Sequence, residues 1–237
     1  MILAVPRIAA TSLVLLVAAT LVAGCGGRGH SASTPITKAQ AVAFAHAVNL
    51  RAADLPARQW LVGDPETLWP RSKQWGELSG CGSTRATSSR VMRINSPVFS
   101  LKPGGQAAYP HSARVQSVVY VMANTQLARQ ELASARNCVA RRLARGTLET
   151  IAFGPEHFAP LHATLPGVPV AELRSWVTLP ELTATGLSVR SYEDRFVFVV
   201  GRVEVALSAT ESLHPFPTAT ESHLLTMLHS RAEAQEL

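Results

Sequence analysis

The chain has few cysteines and few charged residues. Of its 237 residues only three are cysteine, and 16% are charged against 47% that are hydrophobic. This composition excludes a disordered chain and indicates a packed globular domain. No two cysteines have CxxC spacing, which argues against a redox pair. Outside residues 8–24, no run approaches the roughly 18 consecutive apolar residues that indicate a membrane-spanning helix.

Motifs of known catalytic chemistry are also missing. The sequence contains no GxSxG nucleophile elbow, no glycine-rich phosphate loop after a strand and no SxxK motif. Glu156, His157 and His162 could suggest a metal site, but their spacing is not that of a zincin helix, and the neighbouring Pro and Gly residues predict a loop. We therefore predict no catalytic residue, no metal ligand and no cofactor. An envelope hydrolase whose catalytic residues meet only in the folded chain is the alternative.

The N-terminus carries the most specific pattern in the chain. Residues 8–24 contain no charged side chain and follow a single basic residue, Arg7. Residues 21–25, LVAGC, resemble a bacterial lipobox. The resemblance implies that residues 1–24 are a lipoprotein signal peptide and that Cys25 becomes the first residue and carries a diacylglyceryl thioether. An uncleaved N-terminal transmembrane helix is the alternative.

The lipobox resemblance also predicts a location and a domain organisation. A diacylated Cys25 would hold the chain at the extracytoplasmic face of the cell membrane, because two acyl chains anchor a protein stably whereas one binds only marginally. Residues 25–36 are rich in Gly, Ser and Thr and have neither helical nor strand period, so we predict a flexible tether. Residues 37–237 are expected to form a single domain with a core of its own.

Two cysteines remain once Cys25 is set aside. Cys81 and Cys138 have one possible pairing, and an extracytoplasmic location permits its oxidation. A disulfide that closes so long a loop would stabilise the domain by about 4 kcal/mol on the chain-entropy model. Two free buried thiols are the alternative.

Charge is distributed unevenly along the domain. Between Gly80 and Gly146 ten basic residues are opposed by a single acid, Glu131, whereas acids predominate after that segment. The basic segment could contact an anionic surface, such as phospholipid headgroups or an acidic envelope polymer, or it could be neutralised by the acidic half within the fold. Nucleic acid is a poor partner, because no basic motif is interleaved with aromatic residues. The candidate surface contacts are Arg85, Arg90, Arg93, Arg114, Arg141, Arg142 and Arg145.

Three tryptophans, Trp60, Trp69 and Trp75, lie in a stretch rich in Pro and Gly, residues 56–90, which we expect to be irregular. They could form an aromatic platform for a ligand. The interpretation that we favour is that they cover the core beneath a long loop.

Three segments of the sequence have apolar residues at helical spacing. Thr37 and Gln40 have the form of a capping box, which predicts a helix over residues 38–51. Asn124 is a candidate cap for a second helix that continues to Gly146. A last helix is expected near the C-terminus, with Thr218 or Thr220 as its cap and Leu224, Leu225, Leu228 and Ala232 as its apolar stripe.

Strand-like stretches account for most of the remaining chain. In the second half, Glu193-Asp194 is predicted to be the turn of a hairpin. We expect an α+β fold in which an antiparallel sheet of about five to seven strands packs with three main helices. The predicted strands are 97–101, 114–122, 148–153, 168–179, 187–192, 195–200 and 203–207.

The order of these elements over roughly residues 36–235 is similar to that of small actinobacterial lipoproteins. It also resembles the extracellular sensor domains of membrane-anchored serine/threonine kinases of the mycobacterial type. Those sensor domains usually have two disulfides, whereas this chain has cysteines for one. The resemblance implies a non-enzymatic module that binds or senses a ligand in a cleft beside the sheet. A carrier with an apolar cavity for lipid is a further alternative.

Overall fold

The computed structural model describes most of the expected domain. Residues Thr34–Leu237 form one compact unit. Within the described ranges, no helix is long and apolar enough to cross a membrane. The described residues are 35–55, 60–63, 90–101, 113–150, 154–162, 165–179 and 189–235.

The first two helices begin and end where the sequence supplies caps. Helix α1, Lys38–Val48, has the predicted capping box: the Thr37 side chain accepts from the Gln40 N–H, and the Gln40 side chain accepts from the Thr37 N–H. Helix α2, Thr125–Arg145, begins at Asn124, whose side chain accepts from the Leu127 N–H at 2.9 Å. It ends at Gly146 with φ of +72°, a conformation that glycine adopts without strain.

Two helix boundaries differ from the predictions. Helix α1 stops at Val48 and not at residue 51, because Asn49 leaves the helix and its side chain bonds to Ser117 and to the Ile94 carbonyl. Helix α3, Thr218–Ala234, follows Pro217 at the cap position, where no side chain caps the helix. The Pro217 carbonyl instead accepts from the N–H groups of Thr220 and Glu221, so neither threonine is the cap.

The described residues form one antiparallel sheet of nine strands, with the spatial order β1-β3-β4-β9-β8-β7-β6-β5 and β2 also paired with β4. The prediction of five to seven strands was too low. The strands are β1 Trp60–Gly63, β2 Arg90–Asn95, β3 Val98–Leu101, β4 Arg114–Met122, β5 Thr147–Thr150, β6 Gly154–Ala159, β7 Val170–Leu179, β8 Val189–Val200 and β9 Val203–Ser212.

The additional strands lack a strong local pattern and exist because of their partners. Strand β1 is only four residues long and pairs with β3, with Trp60 opposite Leu101. Strands β2 and β3 both pair with the same edge of β4. Between them the chain is held by Ser96, whose backbone N–H bonds to the Ser117 carbonyl and whose hydroxyl accepts from the Ser117 N–H.

Strand β8 contradicts the predicted hairpin turn at Glu193-Asp194. The strand is continuous, and both acids are buried at its centre. Successive residues of a strand point to opposite faces, so the two carboxylates lie on different sides of the sheet. Each is paired with an arginine: Glu193 with Arg195 and Asp194 with Arg174. Two adjacent acids are typical of a solvated turn. The partner of Asp194, Arg174, lies 20 positions away in the chain, and Glu193 and Arg195 lie on one face only because the chain forms a strand here.

Strand β6 shows that the prediction of a loop around Glu156 and His157 was wrong. Glu156 and His157 were expected in a loop but lie within this strand, opposite Val177 and Trp176 of β7. The strand begins at Gly154, which has φ of +75°. Of the three candidate metal ligands, His162 alone lies outside regular structure.

Helices cover both faces of the sheet. The largest core cluster lies on the face packed by α1 and α3, the α1/α3 face, and includes Phe44, Phe196, Phe198 and Leu225. Helix α2 packs on the opposite face, the α2 face, against two smaller clusters, one around Leu132 and one around Tyr120. The α+β class is therefore as predicted.

Candidate functional site

A cleft of about 650 Å³ opens on the α1/α3 face, at the end of the sheet where β9 leads into α3. Its walls come from the turn after α1, from β1 and β3, from the end of β9 and from the first turns of α3. We refer to it as the cleft. Its larger apolar lining residues are Leu55, Trp60, Leu101, Phe216 and Leu224.

Trp60 and Phe216 form one side of the cleft. Their ring centroids are 6.4 Å apart and the rings are tilted by 43°, a geometry that aromatic pairs favour. Trp60 is placed by the pairing of β1 with β3, whereas Phe216 is placed by the loop between β9 and α3. The cleft is therefore closed by contacts between segments that lie far apart in the sequence.

A charged clamp holds the opposite side of the cleft. Arg231, near the end of α3, donates two hydrogen bonds to the carboxylate of Asp54 and one to the Asn49 carbonyl at 3.2 Å. Burial alone would raise the pKa of Asp54, but the hydrogen bonds from Arg231 and from the Arg51 N–H lower it below its usual range. The clamp fixes the turn after α1 against α3, and both segments line the cleft.

Few polar side chains face the cleft. Glu211, at the end of β9, lies in its wall, and burial raises the pKa of this carboxyl although His214 opposes the shift. Thr220 and His223, from the first turns of α3, are the other polar lining residues besides Asp54. An apolar cavity with a small number of polar groups is the usual composition of a small-molecule site.

The described part of the lining lacks the two commonest nucleophiles of acyl transfer. Among the described lining residues there is no serine and no cysteine. A nucleophile with an adjacent base is the arrangement that acyl transfer needs. Within the described ranges, no three His, Cys, Asp or Glu residues are grouped so that they could hold a metal ion.

A buried ionic group lies next to the cleft, beneath α3. Arg174 of β7 donates to both oxygens of Asp194 at 2.6 Å, and Asp194 is fully buried. Glu221, in the first turn of α3, is 1% exposed. Burial and, after it, the hydrogen bond and charge of Asp194 together raise the pKa of Glu221 to about 9. Glu221 is therefore protonated at neutral pH and can share its proton with Asp194.

The α2 face has a buried ionic group of its own. Arg195 donates to both oxygens of Glu193 at 2.6 Å, and the Ser208 hydroxyl donates to the same carboxylate at 3.0 Å. Nearby, Arg142 lies 3.6 Å from Glu156, and its guanidinium stacks 5.0 Å from the centre of the Phe158 ring. The contacts of Arg142 with Glu156 and Phe158 join α2 to the sheet.

A further buried acid, Glu204, lies on β9 at the α2 face. Burial raises the pKa of Glu204 to about 7, with Glu131 of α2 adding to the shift and Arg90 opposing it. Glu204 is directly opposite Tyr120 of β4 in the sheet. The guanidinium of Arg90 stacks on that ring, 4.4 Å from its centre, and Arg93 lies 5.6 Å from it.

The structure does not bring the predicted anionic-surface contacts into one patch. Arg90 and Arg93 lie over Tyr120, and Arg142 is half-buried beside Glu156. Arg142 beside Glu156 and Arg90 near Glu204 have acids as neighbours, as internal neutralisation requires, whereas Arg93 is exposed. Others remain at the surface or lie outside the described residues. Arg141 and Arg145 are exposed on the last turns of α2, Arg114 is half-buried on β4, and Arg85 lies outside the described residues.

The predicted lipidation and disulfide sites fall mainly outside the described residues. Cys25 and Cys81 both lie there. Cys138 lies on the buried side of α2 and is disulfide-bonded. Its pairing with Cys81 stays a prediction.

Of the predicted tryptophan group, Trp60 lines the cleft, and Trp69 and Trp75 lie outside the described residues. Sequence reasoning missed Phe216, Glu211 and the Asp54–Arg231 clamp. No local signal marks them, because Asp54 and Arg231 are separated by 177 positions in the chain. His157 and Trp176 lie opposite each other on β6 and β7, and their rings are stacked with centroids 5.3 Å apart.

Comparison with known proteins gives little beyond this geometry. No protein-family model matches the chain, and no curated protein matches it. Among solved structures, the extracellular domain of PknH from Mycobacterium tuberculosis is similar at 13% sequence identity and a TM-score of 0.42. That match covers 84% of this chain and 98% of the other. A likeness at this level does not establish a shared fold or function.

Proposed function

We propose that this chain is a lipid-anchored, extracytoplasmic lipoprotein that binds a ligand in the cleft and acts as a sensor-like binding protein. The observation that carries the proposal is the cleft, whose volume of about 650 Å³ lies within the range of small-molecule sites. Its aromatic and aliphatic walls supply apolar contact. Glu211, Thr220 and His223 supply a few polar groups to orient a ligand.

Binding is favoured over catalysis by the state of the polar groups. Asp54 is already engaged by Arg231, and the described lining offers no serine or cysteine nucleophile for an acyl-transfer or hydrolytic step. The buried carboxyls Asp194 and Glu221 lie behind α3 and are less than 2% exposed, which keeps them from a substrate. An envelope hydrolase is therefore the weaker alternative.

A carrier of apolar molecules is the stronger alternative. Most of the lining side chains are apolar, which favours a ligand with a substantial apolar part. A carrier and a sensor would share the same cleft and differ in the fate of the bound ligand. The carrier would release its ligand to another site, whereas the sensor would pass on the bound state.

The location in this proposal depends on Cys25. Replacing Cys25 with Ala should leave an unprocessed precursor and abolish labelling with a radioactive fatty acid. The physical reason is that the thiol is the group that forms the thioether. Unchanged acyl labelling in the Cys25→Ala variant would contradict the lipid anchor.

Native mass spectrometry of the protein, purified from its own envelope, tests the cleft directly. We expect a bound small molecule in the wild type. Ala219 lines the cleft and is exposed on the first turn of α3, so Ala219→Trp should fill the cleft without disturbing the core and should remove the bound molecule. Ala144→Trp, at an exposed site on α2, is the matched control and should keep it.

Two results would contradict the proposed function. One is a wild-type protein that carries no bound molecule when purified from its envelope. The other is a bound molecule that Ala219→Trp retains as fully as Ala144→Trp does, since this would place the ligand away from the cleft.

A further inference from the structure

Two exposed apolar side chains of the described part lie next to the lining of the cleft. Val62 is 59% exposed and Leu213 is 57% exposed, and among the described residues Leu61, at 47%, is the other large apolar side chain exposed to a similar extent. Val62 lies two residues after Trp60 on β1 and therefore shares its face of the sheet, whereas Leu61 points to the other face. Leu213 lies between the lining residues Glu211 and Phe216. We call Val62 and Leu213 the cleft mouth.

Leu213 is held in an unfavourable conformation. Its φ is +76°, the only positive φ among the described residues other than glycine, and its N–H bonds to the Arg190 carbonyl at 2.8 Å. A branched apolar residue is costly in this left-handed region, where Gly or Asn is favoured. It is also exposed to water. Neither the positive φ nor the exposed side chain of Leu213 stabilises the fold. Together they favour a contact outside the molecule as the role of this side chain.

Positive charge flanks the cleft mouth. Arg190 is exposed, and its guanidinium reaches the Tyr192 hydroxyl at 3.5 Å, which places it on the same face of the sheet as the cleft. Arg51 is exposed at the turn that lines the opposite side. Of the acids nearby, Asp54 is paired with Arg231. Exposed apolar side chains between arginines are typical of a surface that enters an anionic membrane interface.

The length of the tether is compatible with such a contact. If Cys25 carries the lipid, the ten residues to Pro35 span at most about 35 Å when fully extended, so the domain stays within reach of the bilayer. An apolar cleft that opens at a membrane-facing surface is positioned to receive the apolar part of a membrane lipid without passing it through water.

We propose that the cleft mouth inserts into an anionic phospholipid surface and that the cleft accepts an acyl chain of a lipid drawn from that surface. This inference rests on the proposed function, because it assigns the class of ligand that the cleft binds. It also moves the membrane contact from the predicted basic segment to Arg51 and Arg190, which lie outside it.

Site-specific photo-crosslinking tests the contact in the full lipidated chain, reconstituted in vesicles of phosphatidylcholine with phosphatidylglycerol. Benzoylphenylalanine in place of Leu213 should form a lipid adduct, whereas the same group in place of Ala144, exposed on α2, should form none above background. The adduct at position 213 should decrease in the Arg190→Glu variant and in vesicles of phosphatidylcholine alone. Equal adducts at positions 213 and 144 would overturn the proposal.

A second variant separates a contact role from a structural one. Leu213→Gly removes the side chain and relieves the positive φ, so its urea midpoint should rise or stay unchanged. The same variant should reduce lipid adducts from benzoylphenylalanine placed at Val62. A lowered urea midpoint together with unchanged adducts at position 62 would assign Leu213 a purely structural role and would overturn the proposal.

The identity of the bound molecule separates this inference from the proposed function. Native mass spectrometry should show a lipid mass that Ala219→Trp removes, while the adduct at position 213 persists in that variant. A bound molecule without acyl chains would overturn this inference and leave the cleft as a binding site. Absence of any bound molecule would overturn both.

Discussion

The two faces of the sheet differ in how they are stabilised and in what they leave open. The α1/α3 face has the larger core cluster, is covered by two helices and contains the cleft between those helices and β1. The α2 face is covered by one helix and has smaller apolar clusters, with arginines stacked on Tyr120 and Phe158. A cleft can be kept on the first face because the large core beside it holds its walls in place. On the second face packing and charge pairing join one helix to the sheet.

Breaking the ionic pair on each face should have the largest effect. Arg174→Met would leave Asp194 fully buried beside Glu221, whereas Arg195→Met would leave Glu193 with the Ser208 hydrogen bond. Removing one partner of a buried pair costs about 3–5 kcal/mol, and we expect Arg174→Met at the upper end of that range and Arg195→Met at the lower end. Urea denaturation at pH 7 measures both. A larger loss for Arg195→Met would contradict the comparison.

Truncating a leucine on each face tests the difference in packing. Leu225 is fully buried in the large cluster, and Leu132 is 8% exposed in the smaller one. Buried Leu→Ala changes cost about 2–5 kcal/mol depending on the cavity left behind. Leu225→Ala should fall near the top of this range and Leu132→Ala near the bottom. Thermal and urea unfolding measure the two losses, and equal losses would show that the faces are packed alike.

The pH dependence of stability should distinguish the buried acid on each face. The pKa of Glu204, on the α2 face, is raised by burial from 4.5 to about 7, so the folded protein keeps a proton that the unfolded chain releases. Its contribution is fully present below pH 4.5 and is lost as the pH rises to about 7. Glu204→Gln should abolish this loss, a relative gain of about 3 kcal/mol across that interval.

Glu221, on the α1/α3 face, is the control for this measurement. Its pKa is raised by burial to about 9, so its loss of stabilisation continues above pH 7, where that of Glu204 is complete. Between pH 5 and pH 9, the pH dependence of the free energy of unfolding should therefore flatten only below about pH 7 in Glu204→Gln and over the whole interval in Glu221→Gln. Identical pH profiles for the two variants would show that the carboxyls do not titrate separately.

The helix caps should show the smallest effects and no difference between the faces. Thr37→Ala removes the capping box of α1, and Asn124→Ala removes the cap of α2. Each should cost about 1 kcal/mol, because each removes one side-chain acceptor for a terminal N–H group. The measurement is the shift in urea midpoint relative to the wild type. A loss several times larger at either cap would indicate a tertiary role for that residue.

Features set by neighbouring residues could be predicted from the sequence. The capping residues Thr37 and Asn124, the stop at Gly146 and the central strand Arg114–Met122 depend on local geometry and alternation, and the structure confirms them. Strands β1 and β2 could not be predicted, because short segments become strands only when a partner supplies their hydrogen bonds.

The candidate site depends on contacts between distant parts of the chain. Trp60 meets Phe216, and Asp54 meets Arg231, so no window of the sequence contains both members of either pair. Asp194 shows a related limit, since its partner Arg174 on β7 lies 20 positions away, whereas Glu193 pairs with the nearby Arg195. The resemblance to sensor domains implied a cleft beside the sheet but not which residues line it.

The central claim is that the α1/α3 face binds the ligand and that the α2 face is structural. The most direct measurement is an amide chemical-shift map recorded while lipid extracted from the native envelope is added to the protein. The account predicts changes at the turn after α1, at β1, at the end of β9 and at the start of α3, with α2 unaffected. Changes centred on α2, or none at the cleft while the extract binds, would contradict it.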